Sequence, residues 1–180
     1  MAEALKREIT VNLKQQLFLM REEDEVLFGG AKGGSKTFAQ LIFQAQRRQE
    51  LPGSDGLFLR RTYGQLENQG GAIEESRKLF SGGIAVWQGD ARKWRFPNGS
   101  CIQFGHCEHE EDKEKYQSSQ YADICFDELT QFTEAQYMFI GAAARTTLPG
   151  VKVLIRAGTN PLGEGHRWVY ERFVEPAPPF

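Results

Sequence analysis

The chain has 180 residues, 40% hydrophobic and 26% charged, with a formal charge of −2. That is material for one globular core, and too balanced for a disordered chain or one that coats nucleic acid by charge alone. No apolar run approaches the roughly 18–20 residues of a membrane span, the N-terminus lacks a secretory apolar region, and three cysteines give no disulfide framework, which points to a reducing, cytoplasmic setting.

Residues 1–20 are expected to be helical, with Leu13, Leu17 and Met20 on an apolar stripe. Gln15 lies just upstream of a glycine-rich loop, where its amide suits an adenine edge; a solvated helix face is the equal alternative. A short strand is predicted over Glu25 to Phe28. It leads into Gly29-Gly30-Ala31-Lys32-Gly33-Gly34-Ser35-Lys36-Thr37 and then a helical pattern of Phe38, Leu41, Ile42 and Ala45.

Strand, glycine-rich loop, lysine, threonine and helix is the layout of a phosphate-binding loop. Glycines let backbone N–H groups close around a triphosphate, and the helix N-terminus adds its positive dipole end. Lys36 would reach the β- and γ-phosphates, and the Thr37 hydroxyl would take a Mg²⁺ position. Gly30 stands at the usual distance, but Ser35 replaces the glycine that normally precedes the lysine.

The helix is expected to end at Arg47-Arg48, before Leu51-Pro52-Gly53. Gly56 to Tyr63 reads as a buried strand running into polar residues, spaced to form a parallel pair with the first strand through a crossover. After Gly70-Gly71 a short helix resumes through Leu79-Phe80. Lys93 to Phe96 and Cys101 to Phe104 alternate around Pro97-Asn98-Gly99-Ser100, a hairpin signal. Arg92-Lys93-Trp94-Arg95 mixes cations with an aromatic, as nucleic-acid contacts do; a solvated hairpin face with Trp94 packed beneath is the alternative. Cys101, His106, Cys107 and His109 lack the paired spacing of a zinc site and read as strand cysteines and exposed histidines. Glu108 to Lys115 is a charged, solvated helix or loop.

Asp123-Ile124-Cys125-Phe126-Asp127-Glu128 is a short apolar strand ending in two acids. It delivers Asp127 to a Mg²⁺ shell and leaves Glu128 where it would polarise an attacking water. Thr133 to Gln136 fits a capping box opening a helix. Val151 to Ala157 reads as a further strand, ending in Gly158-Thr159-Asn160-Pro161. An aromatic helical patch (Trp168, Tyr170, Phe173) closes a domain expected over residues 1–174, with 175–180 the start of a proline-rich linker.

Together these residues resemble the ATPase domain of the large terminase subunit, the DNA-packaging motor of tailed bacteriophages. The likeness runs from Lys14 to about Phe173. It rests on Lys14-Gln15-Gln16-Leu17-Phe18, the glycine-rich loop, Leu59-Arg60-Arg61-Thr62-Tyr63 and Phe96-Pro97-Asn98-Gly99-Ser100. It continues through Phe104-Gly105-His106, Tyr116-Gln117, Phe126 to Phe132, Gly158-Thr159-Asn160-Pro161 and Gly165-His166-Arg167-Trp168.

The resemblance implies an α/β, three-layer P-loop NTPase of the RecA-like, additional-strand catalytic-Glu type, with a mostly parallel sheet and an inserted β-hairpin. It implies ATP and Mg²⁺ as cofactors, and hydrolysis that drives double-stranded DNA into a procapsid. Implied partners are the DNA, the portal protein and the small terminase subunit, with a ring on the portal, a monomer in isolation, and a host-cytoplasmic location without membrane. By the same likeness Gln15 contacts adenine, Gly30, Ala31, Lys32, Gly33, Gly34, Ser35, Lys36 and Thr37 form the nucleotide loop, and Thr37 and Asp127 serve the metal. Glu128 serves the attacking water, and Thr159 and Asn160 couple hydrolysis to movement. Lys32 stands where many terminases carry an arginine, keeping the charge without the bidentate fork. Arg145, expected at the end of the helix after the acidic strand, is the candidate cation lent to a neighbour; a helix C-terminal arginine serving the dipole is the alternative. Family members normally continue into a nuclease domain, absent here, so nuclease activity is not expected of this chain. Another RecA-like translocase or helicase, or a docking module that binds nucleotide without hydrolysis, are the alternative functions.

Overall fold

The computed structural model describes residues 9–30, 35–80 and 82–177. Its strands are β1 (Glu25–Gly29), β2 (Asp55–Arg60), β3 (Val86–Gln88), β4 (Lys93–Arg95), β5 (Cys101–His106), β6 (Asp123–Asp127) and β7 (Leu154–Thr159). Among the described residues they form one sheet in the order β1-β7-β6-β2-β5-β4-β3. The strands from β1 through β5 in that order run parallel, and β4 and β3 extend the sheet antiparallel.

The expected pairing of the first two long strands does not form. They point the same way, but β7 and β6 lie between them. Burial accounts for this order: every residue of β6 and β7 is buried, so both belong where helices cover two faces, whereas β1 is only half-buried and takes the edge. The intervening β7, between the strand before the loop and the strand ending in acids, is the additional strand of the expected class.

Alternation along the strands divides the core in two. Phe58, Phe104, Ile102, Cys125 and Leu154 face one way and pack beneath α1 (Leu13–Leu19), α2 (Lys36–Glu50) and α4 (Ala72–Phe80). Leu57, Leu59, Ile124, Phe126, Ile155 and Ala157 face the other way, against Tyr137 and Ile140 of α5 (Glu134–Gly141) and Val169 of α6 (His166–Val169). Two apolar layers on one sheet are the three-layer architecture. A short α3 (Tyr63–Glu67) is capped by Thr62, whose hydroxyl accepts from the Gln65 N–H. Thr133 and Gln136 make the reciprocal cap of α5 that their spacing predicted.

Several boundaries differ from expectation. The first helix starts at Leu13 because Asn12 and Gln15 form a capping box that stops it from extending back. The last parallel strand starts at Leu154 rather than Val151, since its first ladder partner on β6 is Asp123. Within the charged stretch, a 3₁₀ turn (Glu110–Tyr116) buries Asp112, which accepts from the Glu108 and His109 N–H groups. The hairpin forms as β4 and β5, joined by a third strand, β3, that was not anticipated.

Trp94 packs under that hairpin, edge-on to Phe80 at 5.2 Å, and donates to the Ser76 hydroxyl at 2.8 Å, so it is not an exposed stacking platform. His106 is half-buried against the Tyr63 ring, 3.9 Å between centroids, instead of exposed. The three cysteines are free and buried.

Candidate nucleotide site

Parallel strands end together at one edge of the sheet, and charged side chains collect there. Register sets Gly29 beside Thr159 and Asp127 beside Gly158, while β2 ends next door in Arg60. Open α/β sheets bind ligands at this carboxyl edge.

The glycine-rich loop leaves β1 at Gly30 and re-enters regular structure at Ser35, the N-cap of α2. Ser35 has φ 52° and ψ 35°, a left-handed conformation in which glycine costs nothing and other residues are strained. This is why glycine is usual here, and Ser35 shows that the backbone shape is kept without it. Ala31, Lys32, Gly33 and Gly34 lie outside the described residues.

Lys36 begins α2 and is 7% exposed; its ammonium donates to the Gly30 carbonyl at 3.1 Å and to Asn160 Oδ1 at 3.0 Å. One residue on, the Thr37 hydroxyl lies 3.0 and 3.1 Å from the two Asp127 carboxylate oxygens. Glycine at 158 permits this closeness: a Cβ there would sit 3.3 Å from Lys36 Cβ and closer still to the Gln40 amide. Gln40, with its amide turned to satisfy both neighbours, donates to the Phe126 carbonyl (3.2 Å) and accepts from the Gly158 N–H (3.1 Å). It therefore locks α2 onto β6 and β7 beneath the loop.

Asp127 is 1% exposed. Burial pushes its carboxyl above the ordinary range, while the Arg60 guanidinium and the Thr37 hydroxyl pull it back. Glu128 is itself left-handed, φ 59°, which turns its side chain off the strand line and toward β7. There it accepts from Asn160 Nδ2 at 2.8 and 3.0 Å and from the Asn160 N–H at 3.3 Å. Asn160 thus bridges Lys36 and Glu128.

Thr159 is buried behind this bridge. Its hydroxyl lies 2.9 Å from that of Thr130 and accepts from the Thr130 N–H at 3.2 Å. Gln15 is 3% exposed, so the solvated-face alternative fails. Its amide donates to the Ser35 carbonyl at 3.2 Å, and its oxygen accepts from the Asn12 N–H at 2.9 Å.

The structure therefore brings together Gln15, Gly30, Ser35, Lys36, Thr37, Asp127, Glu128, Thr159 and Asn160. It does not bring Arg145 to them. The preceding helix stops at Gly141, and Arg145 donates to the Ser119 and Gln117 carbonyls at 3.2 and 3.4 Å. It follows the Tyr121–Ala144 bridge, which leads into Asp123 at the amino end of β6, opposite Asp127. Lying beyond the helix end, it is also not the dipole partner of the alternative reading.

Three site residues carried no predicted role: Arg60, Gln40 and Thr130. For Arg60 the signal was present, since a charge closing a buried apolar strand is the pattern that singled out Asp127. Gln40 and Thr130 gave no such signal. Among the described residues no group of three or more His, Cys, Asp or Glu side chains is arranged to hold a metal.

Parallel strands ending in Gly29, Asp127 and Thr159 around the start of α2 define the class as an open, three-layer α/β domain with its polar site at the carboxyl edge of the sheet. More specifically, the chain belongs to the large terminase subunit family: the family model described as terminase large subunit, T4likevirus-type, N-terminal, matches residues 28–166. Among solved structures, the large terminase of a thermophilic bacteriophage superposes with a TM-score of 0.73 at 17% identity, covering 91% of this chain and 42% of that one. The same protein in complex with ATP-γ-S gives a TM-score of 0.69 at 17% identity, covering 91% and 41%. The large terminase ATPase domain of Thermus phage P74-26 gives 0.64 at 16% identity, covering 90% of this chain and 68% of that one. At such identities the likeness is one of fold. The chain spans about two fifths of the first of these proteins. No curated protein matches it. Among the described residues no helix is long and apolar enough to cross a membrane.

Proposed function

We propose that this domain binds Mg-ATP in the Gly30–Thr37 loop and hydrolyses it to move double-stranded DNA into a procapsid. The observation that carries the reading is the closure of Thr37 onto Asp127 at 3.0–3.1 Å, with Glu128 held beside it by Asn160. A hydroxyl facing a buried carboxylate fits Mg²⁺, which takes one or two protein oxygens and fills its shell with phosphate and water. Thr37 and Asp127 would hold the ion, which when bound neutralises phosphate charge.

The chain's own groups supply the rest. Lys36 neutralises the β- and γ-phosphates, and the N-terminus of α2 presents its N–H groups to them. Glu128 accepts the proton of the attacking water; the Asn160 amide fixes its direction. Thr159 and Asn160 pass a change at Glu128 to the segment after β7. Gln15, already beside Ser35, is the candidate adenine contact, and Lys32 a second cation on the phosphates. Arg145 reaches a phosphate only in a neighbour's site, which requires the ring on a portal.

Glu128→Gln is expected to retain nucleotide affinity within about threefold and to slow hydrolysis by roughly 10²–10⁴. Lys36→Ala is expected to lose triphosphate affinity. Wild-type turnover in Glu128→Gln places the base elsewhere, and unchanged affinity in Lys36→Ala removes the loop assignment. In the same assay, Glu128→Gln mixed with Arg145→Ala regains activity if Arg145 is lent across subunits. A mixture as inactive as its components, where wild-type specific activity rises with concentration, leaves Arg145 structural.

A further inference from the structure

Arg60 closes β2, after the fully buried Leu57, Phe58 and Leu59. Its neighbours across the ladder are His106 at the end of β5 and, one residue back, Phe126 beside Leu59. The guanidinium emerges at the carboxyl edge, its Nη1 2.5 Å from Asp127 Oδ2 and its Nη2 4.0 Å from Glu128 Oε1. Among the described residues its buried Nε has no hydrogen-bond partner, and Nη1 makes the hydrogen bond that fixes the side chain, to Asp127.

Adjacent carboxylates repel each other, and the Asp127 side chain is only 2% exposed, so little solvent screens the pair. The planar fork of arginine spans two such groups, which a point charge does not do. Arg60 also lies on the Asp127 oxygen where a cation held with Thr37 would add its charge.

We infer that Arg60 is a positioning residue that sets Asp127 and Glu128 against each other and competes with the divalent cation for Asp127. This rests on the nucleotide reading above. It has an unusual consequence: removing Arg60 should improve metal binding and worsen turnover. A residue that merely props up the fold would worsen both.

The test uses the 180-residue chain, a fluorescent ATP-γ-S analogue titrated with MgCl₂, and steady-state phosphate release. Arg60→Gln is expected to lower the Mg²⁺ concentration for half-maximal analogue binding by about 5–10-fold, because one nearby positive charge is gone. Its kcat is expected to fall about 10–100-fold, the cost of a misplaced Glu128. Arg60→Lys keeps the charge without the fork; its Mg²⁺ requirement is expected within about twofold of wild type and its kcat between those of wild type and Arg60→Gln. A wild-type chain that binds no analogue at any Mg²⁺ concentration overturns the nucleotide reading and this one with it. A wild-type chain that binds, with the Mg²⁺ requirement of Arg60→Gln unchanged or raised, overturns the role of Arg60 alone. If Arg60→Gln does not fold, Arg60→Lys decides: wild-type kcat there overturns the inference.

Discussion

Strand β6 begins and ends in a buried aspartate, and the two ends behave differently. At the amino end Asp123 is fully buried against an Arg48 guanidinium that is equally buried, with Arg47 Nε at 3.4 Å. Arg48 is pinned further through its carbonyl, which accepts from Asn98 Nδ2 at 2.7 Å and from the Ser100 hydroxyl at 2.8 Å. Burial pushes the Asp123 carboxyl up, and the two guanidiniums pull it down. At the carboxyl end Asp127 has an arginine as well, but that side chain is 19% exposed and the neighbouring Glu128 18%. The same residue type on the same strand closes the structure at one end and leaves room for a ligand at the other. What differs is the covering: the C-terminal turn of α2 and the hairpin seal Asp123, whereas at Asp127 the N-terminal turn of α2 contributes the Thr37 hydroxyl.

The largest effect should come from opening the sealed end. Asp123→Asn leaves Arg48 as an uncompensated buried charge, at a cost of about 3–5 kcal/mol. Urea unfolding measures it, and the nucleotide affinity of the folded protein should stay within about threefold. A variant that keeps its stability, or that loses nucleotide affinity instead, erases the distinction between the ends.

The mirror substitution, Asp127→Asn, should cost less than about 2 kcal/mol because Arg60 retains access to solvent. It should reduce Mg²⁺-dependent nucleotide affinity by at least about tenfold, since a carboxylate is lost from the cation's place. Calorimetry with and without Mg²⁺ reads this; equal affinities in the two conditions for wild type would remove Asp127 from the metal shell.

The smallest effects are pH slopes. Asp127 is held above its ordinary 3.8, chiefly by burial. The folded chain therefore binds more protons than the unfolded one just above that pH, and stability falls as pH rises through this window. Asp112 is held well below 3.8 by its backbone N–H bonds and Lys115, so its contribution is present above 3.8 and lost on acidification. Asp127→Asn should flatten only the first slope and Asp112→Asn only the second. A scan of unfolding midpoints against pH in which either variant flattens the other's limb contradicts these assignments.

Local order was legible in the chain itself. The helix that starts at Lys36, the acidic strand end, the Thr133–Gln136 cap and the turn at Asn98-Gly99 all depend on residues within a few positions of one another. Short-range hydrogen bonding and hydrophobic period determine such features, and the sequence states both directly. The pairing of Lys36 and Thr37 with Asp127, Glu128 and Asn160 was legible only as a set of motifs expected to meet.

Tertiary structure decided what depends on the order of the sheet. Ladder pairing joins residues tens of positions apart, and neither period nor turn chemistry records which strand will be the neighbour. Hence β7 and β6 entered between β1 and β2, and Arg60 met Asp127, a contact only that order allows. The capping box at Asn12 buried Gln15 beside Ser35, and Arg145 came to lie at the far end of the strands. Ser35 and Glu128 took left-handed conformations that their residue types do not favour, one entering α2 and the other leaving β6, a strain that persists only where the packed structure around it holds it.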